Sequence, residues 1–129
     1  MRFTYAESMT DPANYVPLAQ AAEEAGFDSF LVPDSVAYPL ESDSTYPFNP
    51  DGSREFLEGK PFLDPFQLVA VLGTATERIR FTISVLKLPI RHPVLTAKQA
   101  ASAAVLCGER MDLGLGLSPW PDDFAITGT

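Results

Sequence analysis

The sequence predicts an α/β fold: a parallel sheet with helices packed on it. Three observations carry that expectation. Four short runs are almost continuously apolar, as strands buried on both faces are. Stretches with helical periodicity separate them, which is the order of a crossover-connected parallel sheet. The chain has 129 residues, 46% of them hydrophobic and 20% charged, enough for one domain with a core of its own. The order strand–helix–strand–helix–strand–helix–strand suits either an open doubly wound sheet or half of a barrel.

The elements follow in order. A first strand is expected at about Arg2 to Ala6, and a helix from about Asn14 to Ala25. Leu18, Ala21, Ala22 and Ala25 fall at helical spacing there. Gly26 supplies the stop. Pro17 is tolerated because first-turn N–H groups have no intrahelical partner. The second strand is Ser29 to Val32, ending at Pro33-Asp34-Ser35.

A long connection, residues 36–63, comes next. Connections of that length are uncommon unless they carry function or are disordered. Its aromatics, Tyr38, Tyr46, Phe48, Phe56 and Phe62, argue against simple disorder. Asp64-Pro65 is a helix start, a capping carboxylate followed by proline at the first helical position. That helix carries Phe66, Val69, Ala70 and Gly73. The third strand runs from Ile79 to Leu86. An alanine-rich helix opens at Pro93 and ends near Cys107-Gly108. The fourth strand is Met111 to Leu117, followed by Ser118-Pro119-Trp120-Pro121 and a short tail.

Composition excludes several classes of function. The formal charge is −8, and nucleic acid needs a basic face to neutralise its phosphates. Anionic membrane surfaces are disfavoured for the same reason. No apolar run reaches the roughly 18 residues of a membrane span. A single cysteine, Cys107, forms no internal disulfide, and the N-terminus lacks the layout of a signal peptide. The expected location is the cytoplasm.

The chemical motifs are mostly negative. Gly114-Leu115-Gly116-Leu117-Ser118-Pro119 resembles a dinucleotide fingerprint, but its third glycine is a proline and no helix is expected beside it. The two glycines instead let a strand pass close to a neighbour or ligand. One histidine and one cysteine make no usual zinc set. His92 has no evident nucleophile, and no nucleophile elbow exists. Cys107 reads as a small core hydrophobe. Glu23-Glu24 reads as solvated surface, because helix neighbours do not face one another.

Position is more informative than motif. Parallel α/β sheets bind ligands beyond the carboxyl ends of their strands. Those ends are Ala6-Glu7-Ser8, Pro33-Asp34-Ser35, Ser84-Val85-Leu86-Lys87 and Leu117-Ser118-Pro119-Trp120. An acid, hydroxyls, a lysine and a tryptophan suit a flat, amphipathic ring better than a metal. The same residues would equally serve as caps and turns.

Three segments then carry a family resemblance. Arg80-Phe81-Thr82-Ile83-Ser84-Val85-Leu86-Lys87-Leu88-Pro89-Ile90-Arg91-His92-Pro93 resembles the third-strand signature of luciferase-like monooxygenases and deazaflavin-dependent oxidoreductases. Gly108-Glu109-Arg110-Met111-Asp112-Leu113-Gly114-Leu115-Gly116 is similar to their fourth strand. Gly26-Phe27-Asp28-Ser29 through Pro33-Asp34 matches their second.

That resemblance implies a (β/α)₈ barrel, of which this chain is the N-terminal half. A flavin or deazaflavin ring would lie at the carboxyl ends of the strands. A cis peptide at Ser84-Val85 would bulge against its centre, and Ser-Val there looks like the deazaflavin subgroup. Asp34 matches an acid near the ring or its ribityl hydroxyls, and Asp122 sits where some relatives place an asparagine near the cofactor. The expected ring contacts are thus Asp34, Ser84, Val85, Lys87 and Asp122. Ser35, Tyr38 and Trp120 would shape a substrate pocket. The expected cofactor is coenzyme F-420 (8-hydroxy-5-deazaflavin), with flavin mononucleotide (FMN) as the alternative. The implied activity is hydride transfer between the reduced ring and a small organic substrate.

Two departures matter. Deazaflavin-dependent sugar-phosphate dehydrogenases carry a histidine and a glutamate where this chain has Ser35 and Pro119, so that substrate class is not expected and no catalytic acid or base is assigned. A complete barrel needs roughly 250 residues, so residues 1–129 are expected to be one partial domain, truncated after its fourth strand. Open strand edges invite pairing, and the family's dimers, through the second and third helices, imply a homodimer. Rival readings are an FMN-dependent monooxygenase, a non-catalytic flavin-binding or structural half-barrel, and an unrelated open α/β binding domain.

Overall fold

Four parallel strands lie side by side in the order in which the chain makes them. They are β1 (Thr4–Ala6), β2 (Ser29–Val32), β3 (Arg80–Lys87) and β4 (Met111–Gly116). The computed structural model describes residues 1–7 and 9–129; Ser8, at the expected mouth of the first strand, lies outside the described residues. A doubly wound sheet reverses its strand order at a switch point. The unbroken order β1-β2-β3-β4 is that of a barrel, here one half of it. Helices α1 (Tyr15–Glu24), α2 (Pro65–Ala75) and α3 (Pro93–Leu106) provide the crossovers.

Each element forms where local chemistry directs it. Asp64 accepts hydrogen bonds from the N–H groups of Phe66 and Gln67, and Pro65 follows it, so α2 starts as expected. His92 caps α3 by accepting from the Leu95 N–H. The buried face of α1 is Tyr15, Ala19 and Ala22, rotated from the expected stripe, with Ala21 and Ala25 exposed. Tyr15 and Ala19 bury more apolar surface against the sheet than two outward alanines would.

The core lies between one sheet face and the helices. Phe30, Val32, Phe81, Ile83 and Leu86 meet Val69, Leu72, Ala103 and Cys107 there. Each large side chain buried in this way contributes roughly 1.5–3 kcal/mol. Gly73 permits the close approach of α2 and α3, because a Cβ on it would collide with Cys107. Arg110 ties the end of α2 to the start of β3 by donating to the carbonyls of Gly73, Thr76, Ile79 and Cys107.

Two expectations are corrected. The residues after Pro121 are no mere tail: Pro121–Thr127 form a fourth helix, α4. A helix therefore does begin near the glycine pair, but its first turn carries Asp122 and Asp123, which repel a pyrophosphate. Glu23 is no idle surface charge. Its carboxylate accepts the backbone N–H groups of Glu77, Arg78 and Ile79. Burial opposes its ionisation, but those three donors prevail and hold its pKa below the usual carboxylate range. The interaction spans more than fifty residues, which no local pattern announces.

No helix among the described residues is long and apolar enough to cross a membrane.

Candidate functional site

The third strand does not keep its alternation. Phe81 and Ile83 are buried, and period two would bury Val85 next. Instead Val85 is 47% exposed and Leu86 is fully buried. The pairing with β4 explains this, since Ile83 faces Leu113 while Leu86 faces Leu115. Three residues on β3 thus span two on β4, a bulge that redirects side chains locally. The Ser84-Val85 peptide is cis, as the resemblance implied.

The bulge presents Ser84 and Val85 to a cavity of about 260 Å³ beyond the strand ends. Pro33, Asp34 and Ser35 line it after β2, Lys87 after the bulge, and Ser118, Pro119, Trp120 and Asp123 after β4. Gly116 makes room for the arrangement, because a Cβ there would strike the Val85 side chain. Gly114 does the same for the Ile83 carbonyl, 2.8 Å from where its Cβ would stand. Both glycines thus admit atoms of the neighbouring strand.

Two buried carboxylates organise the polar wall. The side chain of Asp34 is 0% exposed. It accepts the backbone N–H of Lys87 at 2.9 Å and Arg91 Nη2 at 2.7 Å. Arg91 also lies 3.8 Å from Asp64. Asp34 therefore borders the cavity with both oxygens already engaged. The side chain of Asp123 is 1% exposed. Its Oδ2 accepts Lys87 Nζ at 2.7 Å and also the Ser118 hydroxyl. Its Oδ1 is buried with no hydrogen-bond partner among the described residues.

Lys87 is the one cationic side chain on the cavity wall among the described residues. Its ammonium lies 3.4 Å from the Ser35 hydroxyl and 5.7 Å from the centre of the Trp120 ring, within cation–π range.

The long connection folds over this site. Tyr46, Phe48 and Leu57 line the cavity. Tyr46 meets Trp120 edge to face with ring centres 5.7 Å apart, and Phe56 at 5.2 Å. Burial, helped by the charge of Asp123, raises the phenol pKa of Tyr46 above its ordinary value. Trp120 Nε1 donates to Ser44 Oγ at 2.9 Å.

Of the residues expected from sequence, Asp34, Ser35, Ser84, Val85, Lys87 and Trp120 come together in the cavity wall. Asp122 and Tyr38 do not line it. Asp122 turns to the connection, accepting from Ser42 and Ser44, with Arg54 at 3.6 Å. Tyr38 lies under the Arg54 guanidinium, 5.1 Å away. Asp123 and Tyr46 line the cavity instead. A helix start after Pro121 is legible in the sequence, but only the packing of α4 decides which of its two adjacent acids points inward.

A larger cavity, about 470 Å³, opens at the amino ends of the strands. Its carboxylates are engaged by the protein itself: Asp112 pairs with Arg80 at 2.7 Å, Asp28 accepts the Phe3 N–H, and Glu23 accepts the backbone N–H groups of Glu77, Arg78 and Ile79. That end of a barrel serves stability rather than chemistry.

Comparison with known proteins agrees with this geometry. The luciferase-like monooxygenase family model matches residues 2–129. A Mycobacterium tuberculosis protein named only as uncharacterized is 60% identical over 128 residues, covering 99% of this chain and 44% of its own length. The chain thus spans less than half the length of that relative. A second M. tuberculosis protein, named as a coenzyme F-420-dependent oxidoreductase, is 31% identical over 107 residues, 83% of this chain and 24% of that one. Among solved structures, the oxygenating constituent of 3,6-diketocamphane monooxygenase from Pseudomonas putida, in complex with FMN, superposes with a TM-score of 0.71. It is 19% identical, with 99% of this chain and 32% of that one covered.

Proposed function

The chain belongs to the luciferase-like monooxygenase family, and from that premise we propose that it forms the ring-binding half of an oxidoreductase whose hydride carrier is coenzyme F-420. The observation that carries this reading is the bulge in β3, which sets Ser84 and Val85 in the wall of a part-aromatic, part-polar cavity beyond the strand ends. Ligand clefts span roughly 300–1,000 Å³. A cavity of about 260 Å³ suits the flat ring of a carrier, with its side chain outside.

The residues present fit such a ring. Val85 offers an exposed apolar face, and Trp120 with Tyr46 offers aromatic edges. The buried Asp123 Oδ1 lacks a donor, an omission worth about 1–3 kcal/mol that a bound N–H or O–H group would relieve. When bound, the ring supplies hydride transfer. Asp34 keeps the bulge in place through Lys87, and the folded-over connection excludes water. The 31% identical relative named for coenzyme F-420 favours deazaflavin over FMN. In the same reading the exposed Val71 of α2 and Val94 and Leu95 of α3 belong to a homodimer surface.

The test is to titrate the full-length protein separately with coenzyme F-420 and with FMN. We expect binding of coenzyme F-420 at micromolar concentration. Binding of FMN alone replaces the carrier with the flavin, and binding of neither defeats the reading.

A further inference from the structure

Lys87 is the one cation on the part-aromatic, part-polar wall of this cavity among the described residues. Holding an ammonium at 13% side-chain exposure carries a desolvation cost, and a lysine is rarely buried unless paired. Here the pairing is elaborate. Asp34 accepts its backbone N–H from beyond the end of β2, Asp123 of α4, itself held by Ser118, pairs with its charge, and the Trp120 ring lies beside it. Three elements converge to set one cation on the cavity wall.

An ammonium has three donors. Asp123 takes one at 2.7 Å and Ser35 lies 3.4 Å from a second. One remains for an occupant of the cavity. The other charged side chains of the wall are carboxylates, Asp34 and Asp123, and Asp34 is neutralised by Arg91.

We propose that Lys87 is the site's charged donor to the ring, accepted by an electron-rich oxygen or nitrogen of it, with Asp123 Oδ2 holding the ammonium in place and Ser118 positioning that carboxylate. The inference rests on the ring-binding reading above. Reduction makes the ring more electron-rich, and a charge-assisted donor strengthens as its acceptor gains charge, so the Lys87 hydrogen bond stabilises that form more than the oxidised one. Lys87 therefore makes the site prefer the reduced carrier. Methionine here would fill the space and supply no such preference.

The experiment is an anaerobic titration of the full-length protein with the oxidised and reduced forms of whichever ring compound it binds, coenzyme F-420 or FMN. The quantity read is the ratio of the two dissociation constants. Lys87→Met combined with Asp123→Asn removes the charge pair without leaving a buried charge alone. We expect the preference for the reduced form to fall at least tenfold, equivalent to about 30 mV for a two-electron couple. Lys87→Arg keeps the preference within threefold. Lys87→Gln, which retains a hydrogen bond to Asp123, serves as the second variant if the double variant does not fold, and its preference also falls. A ratio within twofold of wild type in the charge-removing variants overturns the inference while leaving the ring-binding reading intact. Failure of the wild-type protein to bind either ring overturns both.

Discussion

Asp34 Oδ2 accepts the main-chain N–H of Lys87 at 2.9 Å, so the end of β2 holds β3 at the residue that follows its bulge. The other oxygen of the same carboxylate carries Arg91. Replacing Asp34 by alanine leaves a guanidinium of 17% side-chain exposure and a backbone N–H without their acceptor. Breaking a buried pair from one side costs about 3–5 kcal/mol. We expect Asp34→Ala to lower the denaturation midpoint of the full-length protein accordingly, and Asp34→Asn to lower it less. Urea unfolding checks both, and equal stability of Asp34→Ala and wild type contradicts the bracing role.

Gly116 gives a second handle on the bulge. Its missing Cβ is the space that the Val85 side chain occupies. Gly116→Ala should cost about 1–3 kcal/mol, as overpacking does, and weaken ring binding at least tenfold by displacing Val85. Fluorescence titration measures the second effect. Unaltered binding in a folded Gly116→Ala protein counts against Val85 as a ring contact.

The connection over the site is latched from α4. Asp122 accepts Ser42 and Ser44 at 2.7 Å each, and Trp120 donates to Ser44. Segments open locally when such contacts are few. We expect Asp122→Ala to speed proteolytic cleavage within residues 36–63 severalfold, with only a small fall in the global midpoint. Cleavage at the wild-type rate would show that the aromatic cluster around Tyr46 suffices to hold the segment.

Glu23 makes stability pH-dependent, and the direction follows from its lowered pKa. The native state holds the carboxylate ionised more firmly than the unfolded chain does. Its contribution is present above the unfolded value and is lost as pH falls through the folded one. Removing the acceptor at neutral pH, as in Glu23→Ala, should cost about 1–2 kcal/mol. Denaturation midpoints between pH 7 and pH 3 should fall less steeply for Glu23→Ala than for wild type. Parallel pH profiles of the two proteins refute the assignment.

Arg110, in the segment similar to the family's fourth strand, donates to four backbone carbonyls and lies over the Phe81 ring. Its role is to close the end of α2 onto β3. Arg110→Ala is expected to destabilise by about 2–4 kcal/mol while the folded fraction keeps its affinity for the ring. Lost affinity at full foldedness would place Arg110 at the site instead.

The amino-acid sequence by itself determined the alternation of strand and helix, the cap at Asp64, the close-packed glycines of β4, and the strand ends where ligands lie. Each is a local signal, written in apolar spacing or in hydrogen bonds reaching two to four residues. Tertiary structure alone decided the strand order that makes the sheet a half-barrel. It decided that Asp123, not Asp122, faces the cavity, because successive residues of a helix diverge by about 100° and only the packing of α4 fixes its rotation. It likewise decided that Tyr46 rather than Tyr38 reaches the site, and that Glu23 grips a turn more than fifty residues away. Those choices depend on which distant groups must share a hydrogen bond or a buried surface, and sequence spacing holds no record of that.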